Sequence, residues 1–328
     1  MRRLLLATAA AATAAMTLAA CGSSEPAKDE PASQGSAAAA PKVSVTDDKG
    51  RKITLDGPAK RIVTTEWNVT EAALTLGVTP VGVADVKGYR TWDKAAPLGD
   101  GAKDIGMRGE PSMDTVAALQ PDVIVATSDL KPAAVKQLRK IAPVLEVDSA
   151  VGGAQLKTVD RTLDLVAEAT GTTDKATTVK KDFRAKIAEG RKALAAAGAD
   201  KRGIAFADGW ATGNQVSVRP FTGDSFLGEI NTELGLKNAW KLKGDKAYGL
   251  ASTDVEGLTK LGDVDFVYIA SDANGGDPFA KLAKDSVWKS LPFVKNDHVH
   301  RLDDGIWQFG GTASGSAYVD SLVASLTK

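Results

Sequence analysis

The side chains of this sequence best placed to do chemistry are arginines and aromatics. Trp67, Trp210 and Trp307 each follow a stretch with strand character by a few residues. Tyr89, Arg90 and Trp92 cluster in what reads as a loop after Val81–Ala84. Arg108 precedes Ser112, a candidate helix cap, and Arg219 and Phe221 share a further loop. A guanidinium offers a planar fork of donors that suits oxygen atoms, and aromatic rings supply flat contact area. That is the chemistry of holding a ligand. The bland alternative stays open for each residue: a single Trp can be core, and a lone loop Arg can be a solvated charge. Trp240 and Trp288 are assigned to packing.

Equipment for turnover is sparse. The chain has two histidines, His298 and His300, which alternate on one strand and so face one side. That spacing suits either a metal or a solvent-facing pair. With no further His and four Tyr, a ligand set for a bare metal ion is missing. No GxGxxG follows a strand, and there is no GxxxxGK[ST] and no GxSxG. Asp208-Gly209 and Gly213-Asn214 read as loop signals. An exported enzyme is the contrasting hypothesis, a binding protein the favoured one, with no cofactor expected.

The N-terminus places the chain outside the cytoplasm. Arg2 and Arg3 precede an uncharged, Ala- and Leu-rich run from Leu4 to Ala20, the layout of a secretory signal. The run is short for a bilayer span. It ends Leu18-Ala19-Ala20-Cys21-Gly22, which resembles the lipobox of bacterial lipoproteins. The resemblance implies cleavage before Cys21 and a lipid on its thiol. Cys21 is the only cysteine, so no intramolecular disulfide can form. Residues 1–20 are thus expected to be signal and 21–41 a Ser-, Ala-, Gly- and Pro-rich tether. Without the leader, 39 basic residues, the 41 of the full chain less Arg2 and Arg3, face 41 acidic ones. That balance argues against a nucleic-acid partner.

Strand and helix signals alternate through the rest, which implies parallel α/β packing. Arg61–Thr65 reads as a strand, and Thr70–Leu76 as a helix stopped by Gly77. Ser112 caps a helix to Leu119, and a strand follows from Asp122. Asp174–Ala197 is one long helix, interrupted only by Gly190, with Val179, Phe183, Ile187 and Leu194 on its apolar face. The pattern then restarts at Gly203. PSMDTVAALQPDVIV and DVEGLTKLGDVDFVYI match in layout, and Thr253-x-x-Glu256 fits a capping box. The expected fold is α/β: two Rossmann-like lobes with mostly parallel central sheets, 42–172 and 199–328, joined by one long rigid helix over 173–198.

Three stretches make a specific resemblance: KRIVTTEWNVTEAALTLGVTPVGVAD, IGMRGEPSMDTVAALQPDVIVA and VWKSLPFVKNDHVHRLDDGIW. In this order they resemble the ferric-siderophore and cobalamin binding proteins of ABC importers, the ferric-dicitrate branch above all. The likeness runs from Val43 to Leu326. It implies a periplasmic-binding-protein-like fold with little hinge closure, and a ferric siderophore held between the lobes with its iron already wrapped. Another bulky chelate, haem or cobalamin, is the alternative ligand. Arg108 and Trp67 match positions that resemble ligand contacts in the family. The remaining candidates, Tyr89, Arg90, Trp92, Trp210, Arg219, Phe221 and Trp307, rest on loop placement. The implied partners are permease subunits with their ATPase, engaged by a monomer. Asp114 and Glu256, at matching places in the two repeats, resemble the family's docking acids, with Asp254 and Glu71 as fallbacks.

Overall fold

A computed structural model describes residues 41–213 and 215–328. The leader, Cys21 and all but the last residue of the tether lie outside the described residues. A β-branched run that must be buried on both faces makes a parallel strand, and the first lobe is built from such runs. Its sheet has the order Lys103–Asp104, Gly82–Val83, Ile62–Thr64, Val123–Thr127, Val144–Val147. All four pairings are parallel. Every residue of the two strands Val123–Thr127 and Val144–Val147 is buried. An antiparallel hairpin, Val43–Thr46 with Lys52–Leu55, packs on this lobe.

The second lobe repeats the plan with one change. Gly203–Thr212 pairs in parallel with Asp265–Tyr268, which pairs in parallel with Val299–Arg301. On its other side Gly203–Thr212 turns back antiparallel into Gln215–Pro220. This hairpin replaces the expected loop, so Trp210 and Arg219 stand on strands. The second-lobe capping box does not form either. The segment is a 3-10 turn over Glu256–Lys260, where Asp254 Oδ1 accepts from Gly257 N at 2.9 Å. Thr253 instead pairs through its backbone with Val218.

The long helix spans Thr173–Ala197 and ends at Gly198, whose φ of 70° suits a residue without a Cβ. Its side chains serve two cores in turn. Ala176 and Val179 pack into the first lobe, and Phe183, Ile187 and Leu194 into the second. Gly190 is the point of closest approach: a Cβ there would lie 2.7 Å from Val319 Cγ1 and 2.9 Å from Leu234 Cδ2. No helix among the described residues is long and apolar enough to cross a membrane.

Candidate ligand-binding cleft

The first lobe offers Arg108 at the tip of a tight antiparallel hairpin, Gly106–Met107 with Glu110–Pro111. Gly109, at φ 81°, supplies the left-handed turn beside it. The guanidinium lies over two indoles, 4.2 Å from the Trp67 ring centroid and 5.1 Å from that of Trp307. The two indoles meet edge to face at 4.7 Å. Glu66 Oε1 approaches Arg108 Nε at 2.6 Å. The Nε–H is not aligned with it and has no hydrogen-bond partner, so the contact is an ion pair without a directed bond. Glu66 also accepts from Trp67 N, closing the start of helix Trp67–Thr75. Burial pushes the Glu66 carboxyl above its usual range, against the pull of Arg108.

The second lobe offers Arg219 from the middle of a ladder. Directly across the strands stands Asp208. Arg219 donates to it twice, Nε to Oδ1 at 2.8 Å and Nη2 to Oδ2. Asp208 is buried, which pushes its pKa up, and the guanidinium opposes that shift. Arg219 also faces three rings, Phe309 at 5.1 Å, Phe221 at 5.8 Å and Trp210 at 5.9 Å. Each lobe therefore presents a guanidinium held by its own carboxylate and backed by aromatics.

Both guanidiniums open onto one cleft of about 360 Å³, whose walls also include Asn68, Tyr248, Leu250, Trp307 and Phe309. A second hollow of about 390 Å³ shares Glu66 and Arg108 with it and runs along the first lobe to Asp129. Tyr248, from the second lobe, donates its hydroxyl to Asp129 across the mouth. Beneath the cleft a narrow slot of about 30 Å³ passes between Phe221, Phe226 and the Gln155–Thr170 helix.

Trp307 and Phe309 reach the cleft because the chain after Val299–Arg301 crosses back to the first lobe. Lys94 N donates to Gly305 O there at 2.8 Å. The crossing ends at Glu71, which is 0% exposed. Its carboxylate accepts from Gly311 N at 2.8 Å, from Ala313 N and Ser314 N at 2.9 Å each, and from Ser314 Oγ at 2.7 Å. These are the open amides of the C-terminal helix Thr312–Leu326, which has no cap of its own. Asp93 lies beside this carboxylate, and burial together with the Glu71 charge pushes its pKa up to about 9.

The structure sorts the candidate residues. Arg108, Arg219 and Trp307 line the cleft. Trp210, 48% exposed, extends the Arg219 wall. Trp67 is 4% exposed and its Nε1 donates to Ala84 O, so it supports Arg108 from below. Phe221 is 1% exposed and meets the slot. Three expectations are corrected by the helix Val86–Trp92, read in sequence as loop. It buries Tyr89 completely, with the hydroxyl bound to Ala96 O. It sends Arg90 to Gly99 O and Asp100, outside the cleft lining, and leaves Trp92 backing Trp307 at 6.4 Å. Glu71 is corrected as a docking fallback by its burial. Asp114, Asp254 and Glu256 are exposed.

Trp240 and Trp288 are buried, and the Trp240 indole donates to Phe206 O. His298 and His300 are not a solvent-facing pair. Both are half-buried, tied to Asp263 at 2.7 Å and Asp265 at 3.0 Å. No group of three metal-ligating side chains forms among the described residues. Sequence reasoning missed Glu66, Asp208, Tyr248 and Phe309. Glu66 was findable, as an acid just before a helix start.

Comparison with known proteins places this geometry. Residues 62–305 match the family described as periplasmic binding protein. The Fe(3+)-citrate-binding protein YfmC of Bacillus subtilis (strain 168) is 32% identical over 281 residues, covering 82% of this chain and 82% of that protein. The iron(3+)-hydroxamate-binding protein FhuD of Escherichia coli (strain K12) is 27% identical over 259 residues, covering 79% and 84%. Among solved structures, the siderophore binding protein FhuD of Vibrio cholerae with Fe3+-Desferal superposes with a TM-score of 0.73 at 24% identity, over 82% of this chain and 98% of that one. That likeness supports the two-lobed fold. The chain belongs to the periplasmic binding protein family.

Proposed function

We propose that the chain is the extracytoplasmic solute-binding component of an ABC importer, which takes a ferric siderophore between its lobes and delivers it to the permease for iron uptake. The observation that carries this is the facing pair of aromatic-backed guanidiniums, Arg108 and Arg219, on one cleft of about 360 Å³. An iron chelate presents oxygen atoms to such donors and flat edges to Trp307, Phe309 and Trp210. Relatives named for Fe(3+)-citrate and iron(3+)-hydroxamate support a hydroxamate or citrate–hydroxamate ligand. The deciding experiment titrates the purified mature protein with a panel of siderophores, with and without iron, and follows tryptophan fluorescence. Saturable quenching by iron-loaded complexes is expected. Tight binding of bare ferric ion with no response to any complex overturns the proposal.

The same reading makes Cys21 the lipid anchor and residues 22–41 its tether. Asp114, in the first turn of helix Met113–Ala118, and Glu256, opening the 3-10 turn Glu256–Lys260, are the proposed docking acids for the two permease subunits. Asp114→Ala with Glu256→Ala should leave siderophore affinity unchanged and lower uptake in cells. Normal uptake by that double variant removes the docking role.

A further inference from the structure

We infer that the cleft selects ferric chelates of zero or positive net charge and disfavours polyanionic ones, a refinement that rests on the function proposed above and narrows its ligand to the hydroxamates over the anionic citrate–hydroxamates.

The inference comes from where the charge of each guanidinium goes. Arg108 stands 2.6 Å from Glu66, and Arg219 is doubly bonded to Asp208. Neither carboxylate is a mobile surface group: their side chains are 14% and 12% exposed. A charge so placed is poorly screened by water or salt. A third carboxylate, Asp129, lines the adjoining hollow and is met there by the Tyr248 hydroxyl, which brings no charge. Among the described residues that line the cleft and hollow, the cations are Arg108 and Arg219. Two guanidiniums thus face three carboxylates, counting Asp208 beneath Arg219.

A bound polyanion would gain from two cations that are already neutralised and would meet an unbalanced Asp129. What the arginines still offer is direction. Arg108 meets Glu66 through Nε, which is buried, so its terminal Nη groups are the donors it has left, and Arg219 uses only Nε and Nη2 on Asp208. These donors can serve the oxygen atoms of a neutral complex as well as those of an anion. The aromatic faces act in the same sense, since a ring face attracts cations and repels anions. Iron(III) held by three hydroxamates is neutral, and a free ammonium on the same ligand makes it a cation. Iron(III) held by three catecholates is a trianion.

The test keeps one coordination core and changes only its charge. A linear ferric trihydroxamate ending in a free ammonium is compared with its N-acetyl form, which is neutral, and its N-succinyl form, which is anionic. A ferric triscatecholate completes the series. Binding to the mature protein is read by tryptophan quenching at low and high salt. The cationic and neutral forms should bind at least about threefold tighter than the succinyl form and at least about tenfold tighter than the triscatecholate. Only the share of the gap that comes from the exposed Asp129 should narrow as salt is raised; the share set by Glu66 and Asp208 should persist. Glu66→Gln with Asp208→Asn should narrow it further by improving the anions; the wild-type series decides the matter if that variant does not fold. Equal or tighter binding of the succinyl form than the acetyl form overturns the charge rule alone. Binding of none of the four overturns the rule, and the proposed function falls with it if the citrate–hydroxamate complexes of the wider panel fail as well.

Discussion

Two places where the lobes meet use the same chemical group in opposite ways. At the cleft, Glu66 and Asp208 are each matched to a guanidinium and stand beside open space. At the crossing, Glu71 has no cation and no exposure; four N–H and O–H donors of the C-terminal helix segment hold it. Backbone amides have fixed positions, so this second arrangement tolerates little movement. A guanidinium on a side chain can turn toward a new acceptor. The difference teaches which contacts set the relative position of the lobes and which remain adaptable to a ligand.

The largest expected effect breaks the dry contact. Glu71→Ala leaves the first amides of helix Thr312–Leu326 buried without an acceptor and the Ser314 hydroxyl with only its long bond to Asp93 Oδ1 at 3.4 Å. Stability should fall by on the order of 3–5 kcal/mol, read as a shifted denaturant midpoint. Glu71→Gln should fall between, because one amide oxygen can serve only part of the donor set. A midpoint equal to that of the native chain for Glu71→Ala would mean that the crossing is not a latch.

Acidity sharpens the same contrast. Asp93 is raised from 3.8 to about 9, first by burial and then by the Glu71 charge. Its Oδ2 is buried and has no hydrogen-bond partner. A raised folded pKa means that the folded state keeps a proton the unfolded state has lost. The stabilisation is therefore full below about pH 4 and is lost as pH rises toward 9. Between those limits stability should decline by up to about 1.4 kcal/mol per pH unit from this group. Asp93→Asn should flatten that decline in denaturation curves taken between pH 6 and 9. An unchanged slope would remove Asp93 as its source.

Within the cleft the two cradles should differ in turn. Arg219→Ala strips a buried Asp208 of its partner, so it should weaken ligand binding by about 1.5–3 kcal/mol and also lower stability. Arg108→Ala leaves Glu66 still accepting from Trp67 N, so its loss should fall on binding, to a similar extent, with little change in stability. Paired titrations and denaturation curves separate the two. Equal stability losses would show that the hairpin tip and the strand ladder hold their arginines alike.

How much of this was legible follows from sequence distance. The alternation of apolar strands and helices gave the lobes, since each run carries its own period. Arg219 was misplaced in a loop although Val216 and Val218 alternate inward along Gln215–Pro220, a period of two that marks a strand. The helix Val86–Trp92 hid behind Gly88, which reads as a breaker. That glycine is needed for packing: a Cβ there would lie 2.4 Å from the Trp67 ring. The Glu71 contact had no local signal at all. Its partners are 240 to 243 residues away, and the Gly310-Gly311 pair that admits it looks like any loop. A Cβ on Gly310 would stand 2.3 Å from Glu71 Oε2. Close approaches of this kind are set by the assembled fold.

The smallest expected effect lies at the mouth of the cleft, where Tyr248 donates to Asp129. This bond also joins the two lobes, yet Asp129 is exposed and Tyr248 is half-exposed. Water can replace either partner, so its loss should cost about 0.5–1.5 kcal/mol at most. The neighbouring loops are held by other means: Gly152 N donates to Lys246 O, Gly153 N to Asp224 O, and Gln155 Nε2 to Ala247 O. Tyr248→Phe keeps the ring against Phe309, 5.6 Å away, and removes only the hydroxyl. Denaturation should therefore barely change, and affinity for the ligand should move by less than about fivefold. A loss of stability near that of Glu71→Ala would place a second rigid contact at the mouth. The cleft would then be as fixed as the crossing, and the division between a dry latch and an adaptable site would fail.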